Sequence, residues 1–290
     1  MRWHLACPRL SLIGVMAEKS PEEKWRDVLM GDARGHICWS PWMRRLSRAI
    51  PSDPRCKLCD HPFGRPGSFG QVIGIGRPSK LNRRICSFCI RALQKQPGGA
   101  EIELSFLFAD VRGSTALAER MPAEEFSQLM ARFYVTAATV VDRVNGIVDK
   151  FVGDEVVALF VPGFAGPDHA MDAVAAATEL MAATRDESGE PWIPIGAAVH
   201  MGRAYVGTVG EGDTFDFTAL GDSVNTTARL AQAAAAGEIL VSNAAATAAQ
   251  VDTHGLESRT LELRGRAETV EAWVLPGQAE PAGRLARAGV

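Results

Sequence analysis

The larger, C-terminal part of the chain alternates between short apolar runs and longer amphipathic segments. Leu104 to Phe108 is apolar at nearly every position, which is typical of a strand buried on both faces. Pro122 then opens a segment whose apolar positions recur at helical spacing. Asn145 and Gly146 predict the end of that helix. The pattern predicts a domain in which strands and helices alternate.

Turn and helix signals divide the rest of this domain. Val152, Gly153 and Asp154 predict a tight turn between two strands, because Gly tolerates the backbone angles that such a turn needs. Asn225 and Arg229 are four residues apart on a predicted helix and so share one face. The other expected elements are an alanine-rich helix from about Pro167 to Ala183, a strand over Ile195 to His200, a second hairpin through Gly202 to Gly210, and short strands near Glu238 to Val241 and Leu261 to Leu275.

The N-terminal part carries two helix-start signals. Ser20, Pro21 and Glu23 form a capping-box pattern ahead of an apolar stripe that includes Trp25. Ser40 and Pro41 repeat the signal before a stripe flanked by arginines, for which packing on the chain's own core is favoured over docking of a partner.

Composition and the positions of turn-forming residues together predict the domain organisation. The chain has 290 residues with 47% hydrophobic content, which is enough for one full core and a smaller module. Residues 94–100, QKQPGGA, are predicted to be a linker. The expected order is an N-terminal helical segment (1–55), a cysteine module (56–93), the linker, a large domain (101–276) and a disordered tail (277–290).

Charge and hydropathy exclude several classes of protein. A net charge of −3 argues against a protein that coats nucleic acid. No apolar run reaches the length of a membrane span, and the N-terminal patch is too broken to predict a signal peptide. We therefore expect a cytoplasmic protein with no membrane span.

Four of the six cysteines form two C-x-x-C pairs, Cys56 with Cys59 and Cys86 with Cys89. Two such pairs can complete a tetrahedral set of four thiolates, the usual structural zinc arrangement, and we expect a zinc-ribbon-like module. An iron–sulfur cluster, redox-active thiols and the absence of a metal remain alternatives. His61 follows the first pair and is expected to be a surface residue that does not ligate the metal.

Asp110 and Asp154 each follow an apolar strand. Either aspartate alone is more typical of a turn or a cap. Two carboxylates on neighbouring rigid strands, however, form a hard oxygen site that suits Mg²⁺ or Mn²⁺ and commonly serves phosphate chemistry.

Four segments, in order, carry a family resemblance: FADVRGST, DKFVGDE, HMGRAYVGTVG and ALGDSVNTTARL. With them, roughly residues 101–275 resemble the catalytic domain of class III adenylate and guanylate cyclases. The resemblance implies a ferredoxin-like α+β core that works as a homodimer, with two active sites in the subunit interface and each site built from both protomers.

The resemblance also implies roles for individual residues. Asp110, Asp154 and the Val111 carbonyl would hold two divalent ions, and backbone amides of the turn through Ser114 and Thr115 would help to bind phosphates. The implied contacts of the remaining basic and polar residues are Arg203 with the triphosphate, Asn225 and Arg229 with the ribose and the α-phosphate, and Arg264 or Arg266 with phosphate.

Base selection follows from hydrogen-bonding chemistry. Lys150 can donate to N1 of adenine, and Thr218, which stands where the family often has aspartate, can accept from the adenine amine. Guanine reverses both groups, so ATP is favoured over GTP. The sequence thus predicts an adenylate cyclase that converts ATP to 3′,5′-cyclic AMP and pyrophosphate.

Other functions agree less well with the sequence. VGDEV resembles the GGDEF signature of diguanylate cyclases, which makes a diguanylate cyclase the runner-up among enzymes, but one of the two glycines and the phenylalanine are missing. A guanylate cyclase, or a catalytically silent cyclase-like dimer that regulates or binds nucleic acid, are the alternatives. The presence of Asp110, Asp154 and Arg229 together argues against a silent domain.

Overall fold

A computed structural model describes residues 19–31, 49–50, 55–56, 59, 61–63, 77–78, 86–94, 97–211, 214–262 and 269–277. The second predicted N-terminal helix and most of the predicted tail lie outside these residues. The helices are α1 (Pro21–Met30), α2 (Ser87–Gln94), α3 (Ser114–Arg120), α4 (Ala123–Arg143), α5 (Pro162–Ala165), α6 (His169–Ala183), α7 (Asp222–Ala233) and α8 (Asn243–Ala248). The strands are β1 (Gly99–Val111), β2 (Ile147–Val152), β3 (Glu155–Phe160), β4 (Ile195–Glu211), β5 (Thr214–Leu220), β6 (Glu238–Ser242), β7 (Glu257–Leu261) and β8 (Val270–Pro276).

One sheet of eight strands organises the large domain. Its order is β2-β3-β1-β4-β6-β8-β7, and β5 pairs with the far half of β4. The first four strands, with α4 between β1 and β2 and α6 between β3 and β4, give the β-α-β-β-α-β arrangement of a ferredoxin-like core. The predicted α+β class and the ferredoxin-like core are confirmed.

Both faces of the sheet are covered, as the apolar run in β1 predicts. Leu107, Ala109 and Val111 face α4 and α6, while alternate residues such as Phe106 and Phe108 face the opposite cluster. That opposite cluster includes residues of α1 and α7 and the four cysteines. The four cysteines therefore belong to the same buried cluster as this face of the sheet.

The first N-terminal helix forms where the capping box predicts it. The Glu23 N–H donates to Ser20 Oγ at 3.2 Å, and the Ser20 N–H donates to Glu23 Oε2 at 2.7 Å. Trp25 and Leu29 are buried on the face that meets the domain, and the Trp25 ring stacks on Phe217 of β5 at 6.3 Å between centroids. The helix thus contacts the strand that carries Thr218.

The predicted second hairpin through Gly202 to Gly210 is wrong. These residues lie inside the single long strand β4, and the reversal falls between Glu211 and Thr214. Gly202 allows α7 to pack closely on β4, because a Cβ there would lie 2.4 Å from Ser223 Oγ; a Cβ on Gly207 would lie 2.3 Å from the Gly98 carbonyl oxygen. Gly202 and Gly207 are therefore packing glycines and not turn glycines.

The predicted linker over residues 94–100 is also too long. Gln94 still belongs to α2, and Gly99 and Ala100 already pair with β4. A Cβ on Gly99 would lie 2.4 Å from the Val206 carbonyl oxygen, so this glycine lets β1 lie close to β4. The sequence had instead suggested that it belongs to a flexible linker.

Candidate active site and cysteine cluster

Three carboxylates meet where β1 ends and β3 begins. The antiparallel register places Asp110 opposite Glu155, and the Val111 N–H donates to the Asp154 carbonyl at 3.3 Å. Asp154 lies close enough to Asp110 to help raise the pKa of the Asp110 carboxyl. The structure therefore brings together the two aspartates that the sequence singled out, and it adds Glu155, which sequence reasoning missed.

Arg112 balances part of this negative charge. Its Nη2 donates to Asp110 Oδ2 at 2.8 Å and to the Ala231 carbonyl at 2.9 Å, and its Nη1 donates to the Gln232 carbonyl at 3.2 Å. The two carbonyls near the end of α7 fix the guanidinium beside Asp110. One guanidinium thus faces three carboxylates, and the excess negative charge suits a divalent cation.

The protonation behaviour of the cluster reflects the same imbalance. Burial raises the pKa of Asp110, with Arg112 opposing and Asp154 adding to the shift. Burial, together with the charges of Asp110 and Asp154, raises the pKa of Glu155 to about 7. Asp110 and Glu155 therefore hold protons more tightly than free carboxyls do. A bound cation could replace those protons and stabilise the negative charge.

The turn that carries Asp154 is held from the neighbouring helix. Gly153 has φ +62°, in the left-handed region that favours glycine. Tyr134 of α4 donates its hydroxyl hydrogen to the Gly153 carbonyl, and its ring lies 4.4 Å from that of Phe151. The helix therefore fixes the position of Asp154 relative to β1.

A second cluster forms around Asp149. The Thr218 hydroxyl donates to Asp149 Oδ2 at 2.9 Å, and Lys150 Nζ lies 3.5 Å from the same oxygen and 3.6 Å from Asp216 Oδ2. Lys150 and Thr218, the predicted base-reading pair, are thus brought together across β2 and β5. Asp149 precedes Lys150 within the quoted motif, but only the fold shows that it is buried.

Asn225 and Arg229 lie one turn apart on α7, as the sequence predicts. Asn225 is exposed and Arg229 is half-buried. The start of the helix is docked on β4, because Ser223 Oγ donates to the Arg203 carbonyl at 2.8 Å. The two side chains are therefore presented from a rigid element.

The other predicted phosphate ligands are more dispersed. Ser114 and Thr115 are the first residues of α3, just beyond Asp110. Arg203 Nε lies 3.0 Å from Glu101 Oε1 on the exposed surface of β4. Arg264 and its alternative Arg266 lie outside the described residues.

The four predicted cysteine ligands converge on one point. Cys56 Sγ lies 3.8 Å from Cys89 Sγ, and Cys59 Sγ lies 3.7 Å from Cys86 Sγ. All four sulfurs lie within 4.8 Å of one another, and all four residues are buried free cysteines. A zinc–sulfur bond of about 2.3 Å in a tetrahedron gives a sulfur–sulfur distance of about 3.8 Å, so this donor set fits a single tetrahedral ion.

The expectation that His61 is a surface residue is wrong. It is buried, its carbonyl accepts from the Cys56 N–H at 2.9 Å, and its ring packs edge-on to Phe63. The contacts with Cys56 and Phe63 hold His61 in this buried position. The sequence feature that could have predicted its burial was its position next to a C-x-x-C pair.

This fold, with carboxylates at the end of β1 and a polar helix after β5, defines a nucleotidyl-cyclase type of domain. The profile of the family described as adenylate and guanylate cyclase catalytic domain matches residues 100–277. Since the match covers more than half of the chain, the protein belongs to this family.

Known relatives include one protein described as an adenylate cyclase and others without a described activity. The chain is 31% identical over 134 residues to an adenylate cyclase of Anabaena cylindrica, covering 44% of this chain and 26% of that protein. An uncharacterized protein of Mycobacterium tuberculosis is 32% identical over 177 residues, covering 60% of this chain and 32% of the relative. The chain thus spans about a quarter to a third of the length of these curated relatives.

Similar solved structures include both a guanylyl cyclase and an adenylyl cyclase. The guanylyl cyclase Cya2 matches with a TM-score of 0.58 and 27% identity over 64% of this chain and 98% of its own. The adenylyl cyclase CyaB from P. aeruginosa matches with a TM-score of 0.54 and 26% identity over 61% of this chain and 95% of its own. Among the described residues, no helix combines the length and apolar character needed to cross a membrane.

Proposed function

We propose that the protein is an adenylate cyclase that converts ATP to 3′,5′-cyclic AMP and pyrophosphate. The observation that carries the proposal is the presence, on one family domain, of the Asp110–Asp154 carboxylate cluster, the Lys150–Thr218 pair and the Asn225–Arg229 face. A metal site, a base site and a polar helix are the parts that cyclisation of a nucleoside triphosphate needs.

The carboxylate cluster is proposed to hold two Mg²⁺ or Mn²⁺ ions. The fit rests on its donor set: hard oxygens from Asp110 and Asp154, an excess of negative charge, and the raised pKa values of Asp110 and Glu155. Val111 would add its carbonyl. When bound, such ions favour attack by the ribose 3′-hydroxyl and neutralise triphosphate charge.

The remaining residues are proposed to orient the substrate. The Arg229 guanidinium can donate two parallel hydrogen bonds to phosphate oxygens, and Asn225 can hold the ribose one helical turn away. Arg203, Arg264 and the backbone amides at Ser114 and Thr115 would bind phosphate. Each would act by holding charge that develops or is already present on the triphosphate.

ATP is proposed as the substrate because Lys150 donates and Thr218 can accept. The match to adenine is one donor at N1 and one acceptor at the exocyclic amine. For guanine both interactions would be mispaired, which costs affinity because buried polar groups would lack partners.

A homodimer is proposed as the working unit. Large apolar side chains are exposed on the strands next to the base site, and such a surface is suited to burial in an interface; they are Phe151, Val152, Tyr205, Val209 and Leu220. In the proposed dimer, the carboxylates of one protomer face Asn225 and Arg229 of the other.

The four-cysteine cluster is proposed to hold a structural Zn²⁺ ion. Support comes from the sulfur–sulfur distances, which fit one tetrahedral ion, and from complete burial, which leaves little access for substrate. The proposed location is the cytoplasm, where paired cysteines more often bind metal than form disulfides.

The direct test is product formation by the purified chain with ATP or GTP and either Mg²⁺ or Mn²⁺, separating cyclic nucleotide from pyrophosphate. The proposal predicts cyclic AMP from ATP and a lower kcat/KM for GTP. Preferential formation of cyclic GMP would show a guanylate cyclase, and absence of both products from a folded dimer would favour a regulatory domain.

A further inference from the structure

Asp149 has a buried side chain that contacts both predicted base-reading residues, Lys150 and Thr218. Its side chain is 3% exposed, although it bears a carboxylate. The register of β2 against β3 shifts between Val148 and Lys150, so Asp149 is the extra residue of a β-bulge. A bulge changes the direction of a side chain, and here it lets neighbouring residues on one strand approach each other.

A single oxygen of Asp149 serves both neighbours. Oδ2 accepts the Thr218 hydroxyl hydrogen at 2.9 Å and lies 3.5 Å from Lys150 Nζ. Asp216 also approaches Lys150, at 3.6 Å, but its side chain is 62% exposed and the Thr218 bond goes to Asp149. Both acidic residues therefore lie near Lys150, but the Thr218 hydroxyl hydrogen bond goes to Asp149.

The hydrogen bond decides what Thr218 can offer to a base. A hydroxyl has one hydrogen to donate and two lone pairs that accept. Thr218 is only 5% exposed, so its hydroxyl has little access to bulk water as an alternative partner. With its hydrogen committed to Asp149, the Thr218 oxygen is left as an acceptor.

We propose that Asp149 is a positioning residue that determines base specificity: it fixes Thr218 as an acceptor and thereby selects a 6-amino purine over a 6-oxo purine. The inference rests on the proposed cyclase function. Without the Asp149 oxygen, the hydroxyl could rotate and donate to the carbonyl of guanine, and discrimination would fall.

The test is a set of variants in the full-length chain, assayed for kcat/KM with ATP and with GTP. Asp149→Leu removes the acceptor and is expected to lower the ATP/GTP ratio about tenfold or more. Asp149→Asn can keep an oxygen at the Oδ2 position and is expected to keep the ratio within about threefold. Asp216→Asn is the matched control, because it changes a carboxylate near Lys150 that does not bind Thr218.

A double-mutant cycle shows whether the effect passes through Thr218. Thr218→Val should lower the ratio, and adding Asp149→Leu should lower it little further, because Asp216 remains to pair with Lys150 and the effect of Asp149 on the ratio passes through Thr218. An unchanged ratio in Asp149→Leu, additive effects in the cycle, or an equal loss in Asp149→Asn would overturn the proposal.

Binding of α,β-methylene analogues of ATP and GTP separates this inference from the proposed function. If the wild type makes no cyclic nucleotide but binds the ATP analogue more tightly, and Asp149→Leu abolishes that preference, the cyclase assignment fails and the role of Asp149 stands. If the wild type cyclises ATP selectively and Asp149→Leu does so equally well, the role of Asp149 fails alone. Unfolding curves of each variant identify any that do not fold.

Discussion

The carboxylate cluster at the end of β1 and the cysteine cluster beside α2 differ in ligand, burial and neighbours. The first has three half-buried carboxylates with one guanidinium, Arg112, whereas the second has four fully buried thiols that converge on one point. Hard, partly open oxygen ligands suit an exchangeable ion that meets substrate, and closed thiolate sets suit an ion that holds structure.

The contrast also shows how each cluster is joined to the fold. Asp110 and Asp154 are positioned by strand register and by a turn that Tyr134 holds. The cysteines instead belong to the buried cluster that includes α1 and one face of the sheet. Loss of the first cluster should therefore affect chemistry, and loss of the second should affect stability.

The largest expected effect is on activity in Asp110→Ala. Removing this proposed metal ligand should lower kcat about 10³-fold or more, because ion-based charge stabilisation contributes several kcal/mol to the transition state. The measurement is cyclic nucleotide formation together with the melting temperature. Asp168→Ala, which changes an exposed aspartate at the start of α6, is the control and should retain activity; near-normal turnover in Asp110→Ala would refute the metal role.

Cys89→Ser should instead lower stability. Loss of one thiolate from the proposed zinc site should reduce the expected zinc content of one ion per chain to nearly none and lower the melting temperature by about 5 to 10 °C, because metal binding contributes to folding. Metal analysis and thermal unfolding measure this. Cys38→Ser, outside both C-x-x-C pairs, should keep the zinc; unchanged zinc and melting temperature in Cys89→Ser would contradict a structural site.

The smallest expected effect is the pH dependence that Glu155 confers on the metal-free protein. Its pKa is raised to about 7 in the folded state, so its contribution to stability is present below about pH 4.5 and is lost as pH rises through 7. Glu155→Gln should therefore melt about 2 to 4 °C higher than wild type at pH 8, and the difference should shrink at low pH. Glu187→Gln, on the exposed surface, should show no such difference. A Glu155→Gln variant that melts below wild type at pH 8 would contradict the account, in which burial and repulsion from Asp110 and Asp154 make the Glu155 charge unfavourable.

Local signals in the sequence predicted much of the fold. The capping box at Ser20 gave α1 its start, and Gly153 placed the turn before Asp154. Gly202 and Gly207 misled because a glycine that permits close packing and one that permits a turn look the same in a sequence. Only the neighbouring strand and helix distinguish the two.

The sequence predicted the candidate ligand and base-reading residues of the site, but it did not predict the residues that pack around them and hold them in place. Asp110 and Asp154, and likewise Lys150 and Thr218, are brought together as the motifs suggested. Arg112, Asp149 and Glu155 lie inside or beside those motifs but act through burial and tertiary contacts. A motif records spacing along the chain, and these roles depend on which strand or helix the chain places opposite.

The most direct test of the central claim, a cyclase whose sites are shared between two protomers, is to mix two inactive variants. Asp110→Ala and Arg229→Ala should each be nearly inactive alone. Mixed under conditions that allow subunit exchange, they should recover about a quarter of wild-type activity, because half of the dimers would be heterodimers with one intact site. Recovery of cyclic AMP formation is the predicted result; two folded, exchanging variants that stay inactive in the mixture would contradict the shared site.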